Sequence, residues 1–228
     1  SAASDVFKRQ TNGLLTYASS TDLNKFGCRF KYSKILNVID NIDDAISSNI
    51  TRVIIRRNLK ALTNQFAQYE LCFGNNFHIN PEGRNIKSTG FTIQGRTDTL
   101  YITDIPNKNS DGTLDGSGKG ILAIIKGNVG ESENRLVVAS AGTVDYVHGE
   151  IILSTINITS TVKPNNIVEI QAFPESNDVV GLKDLYLSFS VSNSTINMVK
   201  DTITSGEQIS GVGYKVTSSY SNGALIRG

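Results

Sequence analysis

The densest strand pattern in this chain runs from Gly142 to Thr161 and includes its own turn. β-Branched residues are concentrated at positions 150–158, and these residue types favour the pleated, half-buried surface of a sheet. Val147, His148 and Gly149 separate the two halves of the stretch, and glycine readily adopts the positive φ of a tight turn. The pattern therefore predicts a β-hairpin.

A helical pattern occurs in the N-terminal part of the chain. Four isoleucines recur there at helical spacing, namely Ile35, Ile39, Ile42 and Ile46. This spacing places them on one face of a helix, and Ser33 just before them is a residue type that caps helix N-termini. We predict one main helix at about residues 33–46.

Alternating or continuous apolar segments between polar turns indicate strands in most of the remaining chain. The candidates are residues 50–57, 68–73, 91–94, 100–104, 121–126, 135–140, 167–173, 184–192, 213–218 and 224–227. Strands that follow each other closely in sequence favour antiparallel pairing. The predicted fold class is α+β: mostly antiparallel β-sheet with a small helix-containing N-terminal part. We divide the chain into an α+β part over residues 1–82 and a β-rich part over residues 83–228.

Charge and composition exclude several classes of partner. The chain has 228 residues, with 22 basic and 21 acidic side chains and a net charge of +1. A nearly neutral chain has no overall field that attracts nucleic acid or anionic lipid. The longest apolar run, residues 121–125, is much shorter than the roughly 20 residues of a membrane span. We therefore expect neither a nucleic-acid nor a membrane partner.

The polar segment of residues 107–120 has two partial motifs. Its last five residues resemble a phosphate-binding loop, but Thr113 and Gly120 stand where that motif requires Gly and Ser or Thr. Its start has oxygen-bearing residues at the spacing of a calcium-binding loop, but Gly118 occupies the position of the bidentate Glu. A solvated turn is the favoured interpretation, and we expect no metal and no cofactor.

No recognisable catalytic constellation is present in the sequence. The chain has no GxSxG turn, and its two histidines, His78 and His148, both lie in predicted turns. Cys28 and Cys72 have no partner at zinc-binding spacing. Four carboxylates could form the pair that a glycosidase requires, namely Glu150, Glu169, Glu175 and Asp178. Exposed positions on strands and turns explain these carboxylates better, since any β-rich chain offers such pairs, so we predict that the chain is not an enzyme and has no small-molecule substrate.

One basic cluster is evident, formed by Arg52, Arg56, Arg57 and Lys60. If residues 50–57 form a strand, Arg52 and Arg56 share one of its faces. Such a cluster can be a solvated edge that discourages unwanted strand pairing. It can also contact carboxylates of another protein, because the arginine fork suits such contacts. Nucleic acid is the third choice, since no aromatic residue is interleaved with the cluster.

Residues 35–53, ILNVIDNIDDAISSNITRV, together with residues 144–146 and 149–151, resemble a known family. They are similar to the C-terminal part of the ring-forming baseplate wedge proteins of T-even-type contractile-tailed bacteriophages, and more distantly to the baseplate J-like family. The resemblance implies a structural virion component that dimerises and joins neighbouring wedges into a ring around the central hub. It implies as partners the chain itself and other wedge proteins, and as location the tail baseplate, assembled in the host cytoplasm.

The resemblance supplies no catalytic or ligand-binding residues. The chain begins with Ser1 rather than Met, which we interpret as a fragment that lacks the N-terminal part of such a subunit. Arg and Tyr often anchor interfaces, so the predicted contact residues are Arg52, Arg56, Arg57, Tyr214 and Tyr220. Charge reversal at Arg56 should then weaken self-association.

Two other functional classes remain as alternatives. The first is a carbohydrate-binding or carbohydrate-cleaving tail domain, although the chain has no tryptophan for a sugar platform. The second is a calcium-stabilised adhesion module that uses residues 107–115. A carboxylate pair at glycosidase spacing would favour the first, and a chelator-sensitive thermal melt would favour the second.

Overall fold

The computed structural model describes residues 2–19, 23, 26–127, 135–182, 187–199, 202–203 and 214–215. Its helices are α1 (Ala2–Ala18) and α2 (Tyr32–Asp40). Its strands are β1 (Arg29–Phe30), β2 (Ile55–Lys60), β3 (Phe66–Cys72), β4 (Lys87–Ser88), β5 (Phe91–Ile93), β6 (Leu100–Pro106), β7 (Lys119–Lys126), β8 (Arg135–Asp145), β9 (Glu150–Thr161), β10 (Ile167–Ala172), β11 (Val179–Val180), β12 (Thr202–Ile203) and β13 (Tyr214–Lys215). Short 3-10 turns occupy Pro164–Asn166 and Val191–Asn193.

The described residues form two compact units. The first contains those of residues 1–20, 33–49 and 188–228, and the second contains those of residues 21–32 and 50–187. Both helices lie in the N-terminal part, and the strand pairs of the described chain are antiparallel. The predicted α+β class, mostly antiparallel sheet with a small helical N-terminal part, is confirmed. The division at residues 82 and 83 stays a prediction.

In the first unit, α1 buries one narrow stripe. Val6, Leu14 and Tyr17 have exposed fractions of 5–8% and share a face with Gln10 at helical spacing. Tyr17 meets Phe189 edge to face, with ring centroids 5.9 Å apart. An ion pair of 2.7 Å between Arg9 and Asp43 links α1 to the residues after α2.

The second unit is built on a sheet whose pairing closes on itself. β6 pairs with β5 and β7, β7 with β8, β8 with β9, and β9 with β5. Most of the fully buried side chains come from this ring of five strands, including Phe91, Leu100, Ile102, Leu122 and Leu153. Each such residue contributes about 1.5–3 kcal/mol by leaving water, so the ring is the core of the unit.

Three further strands extend the sheet from β6. β4 pairs with β6, β10 with β4, and β2 with β10. Along β10 the buried residues Val168, Ile170 and Ala172 alternate with the half-exposed Glu169 and Gln171. One face of this extension is therefore core and the other is available to solvent.

The predicted hairpin at residues 142–161 is confirmed. Asp145 pairs with Glu150, and Gly149 in the turn has a φ of +65°. The turn is docked by two backbone hydrogen bonds, from Phe73 N–H to the Gly149 carbonyl and from Phe77 N–H to the Tyr146 carbonyl, at 2.8 and 2.7 Å. These hydrogen bonds fix the hairpin turn against residues 73–77, and Tyr146 of the turn is buried.

Three local predictions differ from the structure. The predicted helix at residues 33–46 ends at Asp40, and the helix α1 was not predicted. The strand expected at residues 50–57 lies instead at Ile55–Lys60. Within residues 184–192, positions 187–190 are not a strand and Val191 begins a 3-10 turn, while 184–186 lie outside the described residues.

Candidate functional site

The arginines of the predicted interface do not share one surface. Arg56 and Arg57 are neighbours in β2, so their side chains point to opposite faces of the sheet. Arg57 lies across from the buried Ile170, and its guanidinium donates a hydrogen bond to the carbonyl oxygen of Cys72. Arg57 therefore helps to hold β2 near the end of β3. Its role at an interface stays a prediction.

Arg52 and Arg56 both belong to the outer side of the sheet. Arg52 precedes β2, and its guanidinium carbon lies 5.9 Å from the centre of the Phe173 ring, within the range of a cation–π contact. Arg56 lies across from Gln171 in the β2–β10 pair. The strand is shifted from its predicted position, so Arg52 and Arg56 do not belong to one strand. Arg52 lies over Phe173, just beyond the end of β10, whereas Arg56 lies opposite Gln171 within β10.

Glu169 is the carboxylate at the centre of this side. It accepts a hydrogen bond of 3.1 Å from Arg56 and one of 2.5 Å from Lys163. Its side chain is only 13% exposed, against 29% for Arg56 and 37% for Lys163. One carboxylate is shared by two cations, which leaves an excess of positive charge around it.

Of the two tyrosines of the predicted interface, one belongs to the described residues. Tyr214 belongs to β13, where its backbone pairs with Ile203 of β12. Tyr220 lies outside the described residues. Contacts of both with a partner stay predictions.

The structure reveals a buried polar centre that sequence reasoning missed. Asp104 of β6 has no exposed surface. Its carboxylate accepts a hydrogen bond of 2.7 Å from the Tyr146 hydroxyl and one of 2.6 Å from the backbone N–H of Ile86. Asp104 thereby joins β6 to the hairpin turn and to the segment before β4. The sequence signal was the two-residue alternation of a strand, which places Asp104 on the same face as the apolar Leu100 and Ile102.

Burial controls the ionisation of this pair. Desolvation raises the pKa of Asp104, although the hydrogen bonds from Tyr146 and Ile86 oppose that rise. Desolvation, and next the charge of Asp104, raise the pKa of Tyr146 so far that its hydroxyl stays a proton donor. Because Asp104 and Tyr146 are 0% and 1% exposed, a substrate cannot reach them. They stabilise the fold.

The polar loop at residues 107–118 is held by its own turns. The Asp111 carboxylate accepts hydrogen bonds from the backbone N–H and the hydroxyl of Thr113, and Asp115 does the same with Ser117. These hydrogen bonds, the side-chain ones first, lower the pKa of both carboxyls. One carboxylate oxygen of each aspartate, Oδ1, is thus engaged within its own turn.

The candidate glycosidase carboxylates have separate surroundings. Glu169 is paired with Arg56 and Lys163, as described above. Glu175 lies 3.4 Å from a ring nitrogen of His78, and Asp178 accepts a hydrogen bond from the backbone N–H of Tyr32. In the other histidine turn, His148 donates its backbone N–H to Asp145, and this bond is the first cause of a lowered Asp145 pKa. These contacts favour the structural interpretation of each group.

The second unit has a shallow groove on its sheet, but the described residues show no cluster of metal ligands. A shallow groove of about 280 Å³ lies between β2 and β3, and it is lined by Lys60, Tyr69 and Glu70 among others. Within the described ranges, no three His, Cys, Asp or Glu side chains are grouped so that they could hold a metal ion. Neither α1 nor α2, nor any other described helix, has the length and apolar character to cross a membrane.

Comparison with protein families gives a match in the N-terminal segment. Residues 4–58 match the family described as baseplate structural protein gp6, C-terminal domain III. This segment is less than half of the 228-residue chain, and it contains most of α1, all of α2 and the three arginines of the predicted interface. A search of curated proteins found no match. The family match supports a structural role in a phage baseplate.

Proposed function

We propose that this chain is a structural component of a phage tail baseplate, which self-associates and joins neighbouring wedges into a ring around the central hub. The observation that carries the proposal is the match of residues 4–58 to the C-terminal domain III of a baseplate structural protein. The partners are further copies of the chain and other wedge proteins. The chain is located in the virion and is assembled in the host cytoplasm.

The geometry supports a role by shape rather than by catalysis. The best-formed polar centre, Asp104 with Tyr146, is sealed in the core. Glu169 and Asp178, two of the candidate glycosidase carboxylates, are bonded to local cations and to a backbone N–H respectively. Stiff sheet surfaces remain, and such surfaces suit subunits that repeat in a ring.

The location can be tested directly on particles of the phage that encodes this chain. Gold-labelled antibodies against the chain should mark the tail end distal to the head in purified virions. Labelling should be absent from tailless heads prepared in the same way, which controls for adsorption. Recovery of the chain only in the soluble fraction of infected cells, with unlabelled virions, would contradict the proposal.

A further inference from the structure

The outer face of the sheet extension gathers basic residues that are far apart in sequence. Arg56 lies across from Gln171 in β10, and Gln171 lies across from Lys87 in β4. Residues directly opposite in antiparallel strands project from the same face. Three strands therefore place Arg56 and Lys87 in one row, with Gln171 between them.

The same face continues along β2 and β10 in both directions. Asn58 of β2 lies across from Glu169, and Lys60 is two residues further along β2 and so on the same face. Lys163 reaches the same carboxylate from the turn after β9. At the opposite end, Arg52 covers the ring of Phe173. We call this set the basic face: Arg52, Arg56, Lys60, Lys87 and Lys163, with Glu169 at its centre.

The charge of the basic face differs from that of the chain as a whole. The positions named hold five cations and one carboxylate, with Glu70 of β3 beside Lys60 in the groove described above, whereas the whole chain has a net charge of only +1. Arg56 and Lys87 lie two strand spacings apart, about 10 Å, which is well within the screening length of about 30 Å at 0.01 M salt. At low salt these cations therefore act together on an approaching charge.

Two of the cations are available for a new contact. Within the described part of the chain, Lys60 and Lys87 form no ion pair, and Lys60 is exposed while Lys87 is half-buried. Glu169 is already shared by Arg56 and Lys163 and cannot neutralise them as well. An anionic partner would satisfy these unpaired ammonium groups.

The middle of the basic face distinguishes between two classes of anion. Proteins that bind single-stranded nucleic acid on a sheet stack bases on exposed aromatic rings at its centre. Here the central positions are Asn58, Glu169 and Gln171, and the ring of Phe173 is covered by Arg52. Amides and lysines suit carboxylates of a protein surface, since they donate hydrogen bonds without requiring a stacked base.

We propose that the basic face docks a carboxylate-rich surface of another protein. This inference rests on the proposed baseplate function, for which it names the chemistry of one contact. Lys60 and Lys87 supply the uncompensated charge, while Arg56 and Lys163 are held in place by Glu169. Electrostatic complementarity of this kind mainly guides and orients a partner.

The test uses the full chain and a fluorescent peptide of about ten glutamates as the probe, with anisotropy as the readout. Lys60→Glu/Lys87→Glu should bind the peptide at least about tenfold more weakly than the wild type at low salt, because two attractive contacts with the peptide are lost and two repulsive ones replace them. The matched control, Lys31→Glu/Lys108→Glu, changes the same charge at exposed positions elsewhere in the second unit. Its affinity for the peptide should stay within about twofold of that of the wild type, because it loses only the long-range attraction that comes from net charge.

The milder variant Lys60→Gln/Lys87→Gln, with circular dichroism of every variant, guards against loss of folding. An intermediate affinity with a native spectrum supports the proposal. Equal losses in the test and control variants would overturn it, as would wild-type binding that is tighter for single-stranded DNA of matched charge than for the peptide. Gold labelling of virions does not depend on this binding assay. A negative binding result with labelled virions would therefore refute the role of the basic face alone, whereas unlabelled virions would refute the baseplate function.

Discussion

At the scale of single residues, Asp104 has the largest consequences for the fold. A carboxylate with no exposed surface is stable in a core only when its oxygens accept hydrogen bonds. Tyr146 and the backbone of Ile86 provide these bonds, and each donor comes from a different segment. The pair therefore fixes the relative positions of β6, the hairpin turn and the segment before β4.

Tyr146→Phe tests the value of the hydroxyl in this pair. The substitution keeps the buried ring but leaves one carboxylate oxygen of Asp104 without its donor, so the free energy of unfolding should fall by about 1–3 kcal/mol. Urea unfolding at neutral pH, followed by circular dichroism, measures the change. Tyr101→Phe is the control, because within the described residues its half-buried hydroxyl forms no hydrogen bond and its loss should cost less than about 0.5 kcal/mol. Equal costs would show that the hydrogen bond to Asp104 contributes nothing.

Asp104→Asn tests the cost of burying the charge. The pKa of Asp104 is higher in the folded state than in the unfolded state. Its contribution to stability is therefore complete below the unfolded pKa of about 3.9 and declines as the pH rises through the folded pKa, by up to about 1.4 kcal/mol per pH unit. The asparagine variant lacks this titration, and its stability relative to the wild type should rise with pH over that window. Urea melts at several pH values above 4 would refute this idea if the two stability curves stay parallel.

At the scale of elements, the hairpin turn depends on Gly149. Its φ is +65°, and a Cβ at this position would collide with the carbonyl oxygen of Asn75. Gly149→Ala should therefore cost more than the roughly 1–2 kcal/mol of left-handed backbone strain alone. Gly112→Ala is the matched control, since Gly112 has a φ of +85° and open space around it. Thermal melts of both variants should place Gly149→Ala clearly lower; similar melting temperatures would argue against close docking of the turn.

The loop at residues 107–118 gives a second prediction at this scale. Because Gly118 stands where a calcium loop requires its bidentate Glu, and the turns at Asp111 and Asp115 are closed by hydrogen bonds without an ion, calcium should add no stability to the fold. We expect the same melting temperature with excess calcium and with a chelator. A higher melting temperature in calcium would follow from binding to the folded state, and it would restore the adhesion-module alternative.

Elements with a strong local signal could be predicted from the sequence. The hairpin at residues 142–161 has β-branched strands and a turn glycine, and it lies where expected. The helix α1 was missed because Gln10 interrupts its apolar stripe and Thr11, Asn12 and Gly13 are poor helix formers. The helix α2 is shorter than its isoleucine pattern, since Asp43 accepts a hydrogen bond from the backbone N–H of Ala45 and favours a turn there.

At the scale of the whole molecule, sequence reasoning fails where distant segments combine. Arg56 could be identified as part of a basic cluster, but only the strand register brings Lys87 and Lys163 beside it. The closed ring of strands likewise depends on β9 pairing with both β8 and β5. Side-chain alternation indicates that a strand has two faces, but it does not indicate which strand is its neighbour.

Self-association is the property of the whole molecule that the ring proposal requires. Sedimentation of the full chain over a range of concentrations should show reversible oligomers, and Arg56→Glu should shift them toward monomer because arginine suits contacts with a partner's carboxylates. The glutamate would also face Glu169, so Arg56→Gln is needed to remove the charge without adding a second carboxylate. Lys31→Glu is the control of equal charge change at an exposed position. If Arg56→Glu, Arg56→Gln and Lys31→Glu all sediment as the wild type does, Arg56 takes no part in the contact, and the copies must meet through another surface.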